Sequence, residues 1–140
     1  MGRAQRPGGR SAPVSEVFTD AELEYLHGDR RLGRIATVGP DGTPHVVPTG
    51  WTHNSDLDTL DFEGMDLPST KKFRDVARTG RAAVVIDDVL PPWQPRGVEV
   101  RGRAEALTEP SALIRLYPER VVSWGIEDSR MGVRHARTVP

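Results

Sequence analysis

The sequence contains no cysteine, which excludes disulfide bonds, thiolate metal sites and a thiol nucleophile. No apolar run approaches the roughly 20 residues that a membrane-spanning helix needs. Aromatic residues make up only 6% of the chain, so the single domain that 140 residues support has a lean core. A net charge of −1 provides no general attraction to nucleic acid. These absences favour a small globular protein that binds neither membranes nor nucleic acids, and they are compatible with a cytoplasmic location.

Recognisable catalytic motifs are absent as well. The chain has no G-x-S-x-G elbow, no G-x-x-x-x-G-K-[ST] phosphate loop and no G-x-G-x-x-G fingerprint. The four histidines form no metal-spaced pair on one element, and the acidic residues near Asp56 lack the calcium-loop pattern. No metal site is therefore expected. An enzyme with this inventory would depend on a cofactor to carry the chemistry.

Alternating apolar residues and turn signals predict a mainly β protein with short helices between the strands. Six strands are predicted, over residues 33–39, 44–52, 58–64, 81–89, 98–107 and a short final stretch within 118–125. The segment LPPWQP, residues 90–95, is predicted to be a rigid loop. This pattern is typical of a small barrel or sandwich with helical crossovers.

Capping signals predict three helices. Thr19 and Glu22 form a capping box that begins the first, and Ser69 or Thr70 begins a second that ends near Gly80. A third is predicted from Glu109 to about Leu116. Residues 1–15 are predicted to be a disordered basic tail, residues 16–128 the folded domain, and residues 129–140 a loose C-terminal segment.

The second predicted strand interrupts its own pattern. Val46 and Val47 are followed by Pro48, Thr49 and Gly50, and neither proline nor glycine suits a central strand. A strand that stops pairing and bares its backbone here suits the close approach of a flat ligand. A β-bulge or a sheet edge explains the same residues, and both interpretations stand at this point.

A second candidate site lies at the start of the second helix. Ser69, Thr70, Lys71 and Lys72 place two hydroxyls and two ammonium groups beside unpaired backbone N–H groups at the positive end of the helix. This arrangement suits a phosphate. A capped surface helix with a solvated basic face explains the same four residues.

Four ordered motifs resemble those of a known family. They are LGRIATVGPDGTPHVVPTGW, STKKFRDVARTGRAAVVIDD, PRGVEVRGRAEAL and YPERVVSWGI. From Phe18 to Ile126 the chain resembles the pyridoxamine 5′-phosphate oxidase-like split β-barrel proteins. It is most similar to their small actinobacterial branch of deazaflavin (coenzyme F420)-dependent oxidoreductases. Members of the wider family bind FMN, F420 or haem.

The resemblance implies a six-stranded split β-barrel with short flanking helices, which forms a homodimer with the cofactor at the subunit interface. Val46, Val47, Pro48 and Thr49 would follow the cofactor ring, and Ser69, Thr70, Lys71 and Lys72 would bind its phosphate. Trp93, Arg96 and Arg101 would contribute from a facing segment. Three features depart from relatives: Trp51 after the second strand, a short loop at residues 90–95, and no C-terminal extension of the kind that recognises pyridoxamine phosphate.

The function implied is hydride transfer between reduced F420 and a small unsaturated organic substrate. An FMN-binding oxidoreductase or flavin-binding protein is the first alternative. F420 is favoured over FMN because Arg74 and Arg78 extend the basic face of Lys71, which suits the acidic oligoglutamyl tail of F420. The second alternative is a non-catalytic module that binds a partner or haem. A haem would need an axial ligand from the histidines, which are His27, His45, His53 and His135.

Overall fold

The computed structural model describes residues 15–140, so the predicted tail at 1–15 lies outside the described residues except for Ser15. Two α-helices, α1 (Asp20–His27) and α2 (Lys71–Thr79), and one 3-10 turn (Leu67–Ser69) are present in this part of the chain. The strands are β1 (Gly33–Val38), β2 (Pro44–Thr49), β3 (Thr52–Asn54), β4 (Thr59–Phe62), β5 (Arg81–Leu90), β6 (Gln94–Leu107), β7 (Leu113–Trp124) and β8 (Arg134–Thr138).

All eight strands belong to one antiparallel sheet in the order β2-β1-β5-β6-β7-β4-β3, with β8 on the same side of β7 as β4. The two ends of this order, β2 and β3, are consecutive in sequence and are joined by Gly50 and Trp51 alone. Because the three Cα–Cα steps from Thr49 to Thr52 span at most about 11 Å, the sheet must curl until its two outer strands come close together at this point. The predicted split β-barrel is confirmed, with eight strands in the described part rather than six.

The core fills the inside of the curled sheet. Its largest fully buried apolar side chains are Phe62, Ile35, Leu60, Leu67, Ile86, Ile114 and Leu116. The two helices bury their apolar residues against this cluster, with Tyr25 and Leu26 from α1 and Phe73 and Val76 from α2. The caps explain the helix limits: Thr19 and Glu22 form the predicted capping box, and Thr70 caps α2.

The helix predicted from Glu109 to Leu116 is wrong. From Leu113 onward this segment is strand β7, which also contains the predicted short strand at 118–125. Leu113 pairs with Leu107 of β6, and Leu116 pairs with Leu60 of β4. The capping-type residues at 109–111 lie instead in the turn before β7, and pairing on both sides decides the structure of the residues that follow.

Two other segments differ from the sequence prediction. Leu90 ends β5 and Gln94 begins β6, so the rigid loop predicted at 90–95 shrinks to a three-residue hairpin turn. Within the C-terminal segment predicted to be loose, Arg134–Thr138 forms β8 and pairs with β7. Arg137 anchors β8 because its guanidinium is bound to the fully buried carboxylate of Glu22. Neither described helix is long and apolar enough to span a membrane.

Candidate functional site

Strand β2 is an edge of the sheet, as one interpretation of Pro48 required, and it carries the residues predicted to follow a cofactor ring. Val46 and Pro48 point outward and are exposed, whereas Val47 packs against the core and Thr49 is buried. The side chain of Val46 is 63% exposed, a large value for an apolar residue. Cross-strand pairing puts Val46 in one outward-facing row with Ala36, Ala83 and Arg101. Val46 and Arg101 are therefore on the same face, about 14 Å apart across three strand spacings.

The N-terminus of α2 lies beside the turn that leads into β2. The only two lysines of the chain, Lys71 and Lys72, are both here. Gly39 of the turn leaves room for the first of them, because a Cβ on Gly39 would lie 2.8 Å from Lys71 Nζ. The Lys71 ammonium group therefore lies against the turn that leads into β2, at a helix N-terminus, where backbone N–H groups also favour an anion.

The two hydroxyls of this predicted site are already engaged. Ser69 donates its hydroxyl proton to the carboxylate of Asp66 at 2.7 Å. The Thr70 hydroxyl caps α2 by accepting from the Phe73 N–H, and it donates to the Leu67 carbonyl at 2.7 Å. The structure therefore brings Ser69, Thr70, Lys71 and Lys72 together as predicted, with the lysines as the side chains best placed to meet an anion.

Asp75 fixes Lys71 in this position. Its buried carboxylate accepts a hydrogen bond from Thr37 at 2.9 Å and lies 3.5 Å from Lys71 Nζ and 3.3 Å from the Arg78 guanidinium. Burial alone would raise the pKa of Asp75, but the Thr37 hydroxyl and the two cations hold that pKa below its usual value. The carboxylate is thus ionised at neutral pH and ties α2 to strand β1.

Arg96 lies near the opposite end of β2 and is committed to a different partner. It makes a bidentate ion pair with Asp88, with N–O distances of 2.7 and 3.0 Å. Arg31 and the Tyr25 hydroxyl donate to the same carboxylate, each at 3.0 Å. The Arg96 hydrogen bonds lower the pKa of Asp88, and burial raises the pKa of the Tyr25 phenol. This network joins α1 to the β5–β6 hairpin, and it leaves the Arg96 side chain with little freedom to reach a ligand.

Trp93 and Arg101, the other two residues predicted on a facing segment, are apart from each other. Trp93 is at the tip of the β5–β6 hairpin and lines a cleft of about 360 Å³ with Trp124 and Met131. Arg101 is on the outward row described above and pairs with Glu99 at 3.1 Å. Within residues 15–140, neither Trp93 nor Arg101 lies beside Lys71. The predicted site is therefore spread along one face and both ends of β2.

One polar cluster was missed by the sequence analysis. His27 at the end of α1 and His53 on β3 join their ring nitrogens, His27 Nε2 and His53 Nδ1, at 2.9 Å. His53 Nε2 lies 2.9 Å from the carboxylate of Asp58. His27, His53, Gly50 and Trp51 all line one cleft of about 430 Å³ at the split between β2 and β3. The two histidines are 26 residues apart on different kinds of element, so no spacing rule could have paired them.

Comparison with known proteins decides the family. Residues 18–139 match the family described as Pyridoxamine 5′-phosphate oxidase. The chain belongs to this family. A reductase of 5a,11a-dehydrotetracycline and 5a,11a-dehydrooxytetracycline from Streptomyces rimosus is 39% identical to it over 134 residues, which cover 87% of this chain and 93% of the relative.

Several solved structures have a fold similar to that of this chain. A structure described as an F420 reductase has a TM-score of 0.54 and 25% identity, with 70% of this chain and 94% of that chain covered. The FAD-binding protein from Mycobacterium smegmatis has a TM-score of 0.58 at 22% identity, with 86% and 98% covered, and supports the fold alone. With a reductase so similar over nearly its whole length, this family member is an enzyme of the oxidoreductase class.

Proposed function

We propose that this protein is a deazaflavin (F420)-dependent reductase that acts as a homodimer on a planar unsaturated organic substrate. The observation that carries the proposal is the pair of adjacent lysines held at one end of an exposed edge strand, in a chain 39% identical to a dehydrotetracycline reductase. When bound, the reduced deazaflavin supplies a hydride to a carbon–carbon double bond of the substrate.

The residues present fit such a cofactor. Lys71 and Lys72 would hold its phosphate beside the turn at Gly39, against which the Lys71 ammonium group lies. The backbone and outward side chains of residues 46–49 would support the ring system. Strand β2 is about 17 Å long, so the phosphate and the ring would occupy different positions along it, as the ribityl chain between them requires.

The charge around Lys71 favours F420 over FMN. In the first turn of α2 Arg74 is exposed and Lys72 is half-buried, and Arg78 follows one turn later. The Asp75 carboxylate lies within 3.5 Å of both Lys71 Nζ and the Arg78 guanidinium, so the charges of these two cations are partly neutralised. The remaining cations offer a basic surface to the oligoglutamyl tail that F420 has and FMN lacks.

The proposed dimer uses the outward face of β1, β2 and β5. Val46 and Val38 are 63% and 44% exposed, and Ala36 and Ala83 face outward between them. Small apolar side chains line a concavity of about 490 Å³ on this face, with Arg81 and Arg101 at its border, and this apolar patch suits burial by a second copy of the same surface. A second copy would also bring side chains such as Trp93 toward the ring from outside this chain.

The dimer is tested by light scattering on the purified full chain. A mass of twice the monomer supports it, and V46E should lower that mass because a charge would be buried in the interface. The matched control is T138E at an exposed position on β8. A monomeric wild-type protein with intact F420 binding would contradict the dimer.

The activity is tested anaerobically with reduced F420 and 5a,11a-dehydrotetracycline as the probe, by following oxidation of the cofactor and the mass of the product. The product should gain two hydrogens. The K71A/K72A variant should lose cofactor affinity, whereas R103A/R130A removes two exposed cations elsewhere and should retain it. Unchanged affinity in K71A/K72A would contradict the phosphate assignment.

A further inference from the structure

We infer that His27 is the general acid of the proposed reduction and that His53 and Asp58 position it. This inference rests on the proposed function, because a hydride added to one carbon of a double bond must be matched by a proton added to its partner atom. At the start of α2 the Ser69 and Thr70 hydroxyls are engaged and Lys71 is paired with Asp75, so that segment has no free group to supply this proton.

The hydrogen bonds of the cluster fix which nitrogen carries which proton. The Asp58 carboxylate accepts only, so His53 Nε2 must carry a proton and donate it. In neutral His53 the other nitrogen, Nδ1, then has a lone pair and accepts from His27 Nε2–H. The proton that His27 gains or loses is therefore the one on its Nδ1, the nitrogen outside this chain of hydrogen bonds.

The His53 and Asp58 side chains of this cluster are held in place by their neighbours, whereas the His27 side chain is exposed. The His53 side chain is 3% exposed, with the Phe18 ring packed edge-on against it at a centroid distance of 5.5 Å. Asp58 is held in turn by the Ser15 hydroxyl at 2.7 Å and by the Glu16 N–H at 3.2 Å. His27, by contrast, is exposed. In this arrangement the exposed imidazole of His27 can transfer a proton, and the side chains of His53 and Asp58 fix the orientation of its ring.

The cleft lies where the proposed ring would end. It is bounded by Gly50, Trp51 and Thr52, which follow the residues assigned to the ring without interruption. A Cβ on Gly50 would meet no atom within 4 Å, so the chain is open at this corner. Trp51 forms a flat wall, because its indole N–H donates to the Arg31 carbonyl at 2.7 Å. A planar substrate in this cleft would touch the proposed ring region on one side and His27 on the other.

The step balances in atoms and electrons. The substrate double bond takes the hydride, with its two electrons, at one carbon and a proton from His27 Nδ1 at the partner carbon or its conjugated carbonyl oxygen. The cofactor is oxidised by two electrons, and His27 is left neutral and regains a proton from water. The other charged groups that line this cleft are Asp29, Arg30 and Arg31, of which Arg31 is paired with Asp88.

The first test needs no cofactor. Nitrogen-15 NMR of the histidine rings in the full chain should show His53 with a proton on Nε2 and a lone pair on Nδ1, and D58N should remove this preference. His135 on β8 is the control, and its signals should be the same in D58N as in the wild type. A His53 tautomer that is unchanged in D58N would overturn the positioning role.

The second test uses the reductase assay with H27Q, which retains a side-chain N–H for His53 and has no titratable proton. H27Q should lower kcat by about 10²–10⁴-fold with F420 affinity unchanged, and should lose the pH dependence and solvent isotope effect of that step. H135Q should match the wild type. A kcat within threefold of wild type in H27Q would overturn the inference alone, whereas a wild-type protein that fails to bind F420 would overturn the proposed function and this inference with it.

Discussion

Replacing Arg137 by methionine tests how the C-terminal strand is held to the barrel. In the wild type, the Arg137 guanidinium binds both carboxylate oxygens of Glu22, a side chain with no exposed surface, and also the Val17 carbonyl. R137M keeps most of the aliphatic bulk and removes the charge. In this variant the Glu22 carboxylate stays buried without its counter-charge. It keeps the capping-box hydrogen bond from the Thr19 N–H at 3.0 Å.

The expected cost follows from that uncompensated charge. Removing one partner of a buried ion pair costs about 3–5 kcal/mol, and the lower end applies here because the Arg137 side chain is 31% exposed. Taking an unfolding entropy of about 2.1 cal/mol/K per residue, 3 kcal/mol corresponds to a fall in Tm of roughly 11 °C. E22Q/R137M should recover part of this, because a neutral amide needs no counter-charge.

The pH dependence provides a second check on the same pair. Burial would raise the pKa of Glu22, but the Arg137 hydrogen bonds and the Thr19 N–H bring that pKa below its usual value. A carboxyl whose folded pKa is lowered stabilises the fold above its unfolded pKa, and that contribution is lost as the pH falls through the folded pKa. The gap between wild type and R137M should therefore be large at pH 7 and shrink below about pH 4.

Thermal unfolding followed by circular dichroism measures both effects. R134M is the matched control, since Arg134 is on the same strand and is exposed. If R137M and R134M have Tm values within 2 °C of each other at pH 7, the buried ion pair does not hold β8 and the reasoning is refuted.

Three further predictions follow from individual residues. With carbon-13 at its two lysine side chains, the protein should give two ε-CH₂ NMR signals, and F420 should shift those of both Lys71 and Lys72, whereas unmoved signals would argue against the phosphate site. G125A should unfold at least about 2 kcal/mol more easily than G132A, since both glycines have positive φ but a Cβ on Gly125 would lie 2.3 Å from a β6 carbonyl oxygen; equal stabilities from urea unfolding would refute the close approach. Burial raises the pKa of both tyrosine phenols, so ultraviolet absorbance at pH 10 should show less phenolate in the folded protein than in the urea-unfolded chain, and equal phenolate would contradict the burial.

The sequence predicted the elements whose signals are local. The capping box of α1 and the Thr70 and Gly80 caps of α2 are carried by residues within one turn of each helix end, and all were read correctly. The helix prediction for the segment after Glu109 failed because its first residues resemble a helix start. Pairing with β4 on one side and β6 on the other makes the residues from Leu113 a strand. Strand β8 was missed for a similar reason, since Arg137 is ordered by Glu22, 115 residues away.

The candidate site also contains residues that a local sequence pattern identified and residues that only the fold brings together. Lys71 and Lys72 were found because a helix start with two hydroxyls and two amines is a local pattern. The spatial relation between Lys71 and Gly39 was not predictable, because it depends on how α2 packs on β1. His27 and His53 had no common signal in the sequence, and Arg96 was assigned to a ligand because its partner Asp88 is identified only by the hairpin register.

Affinity for the two candidate cofactors decides whether this oxidoreductase uses F420 as proposed. Trp51, Trp93 and Trp124 provide a fluorescence signal for titration of the purified full chain with F420 and, separately, with FMN. We expect micromolar binding of F420 and much weaker binding of FMN. Tight FMN binding with no response to F420 would contradict the proposal, and so would binding of neither.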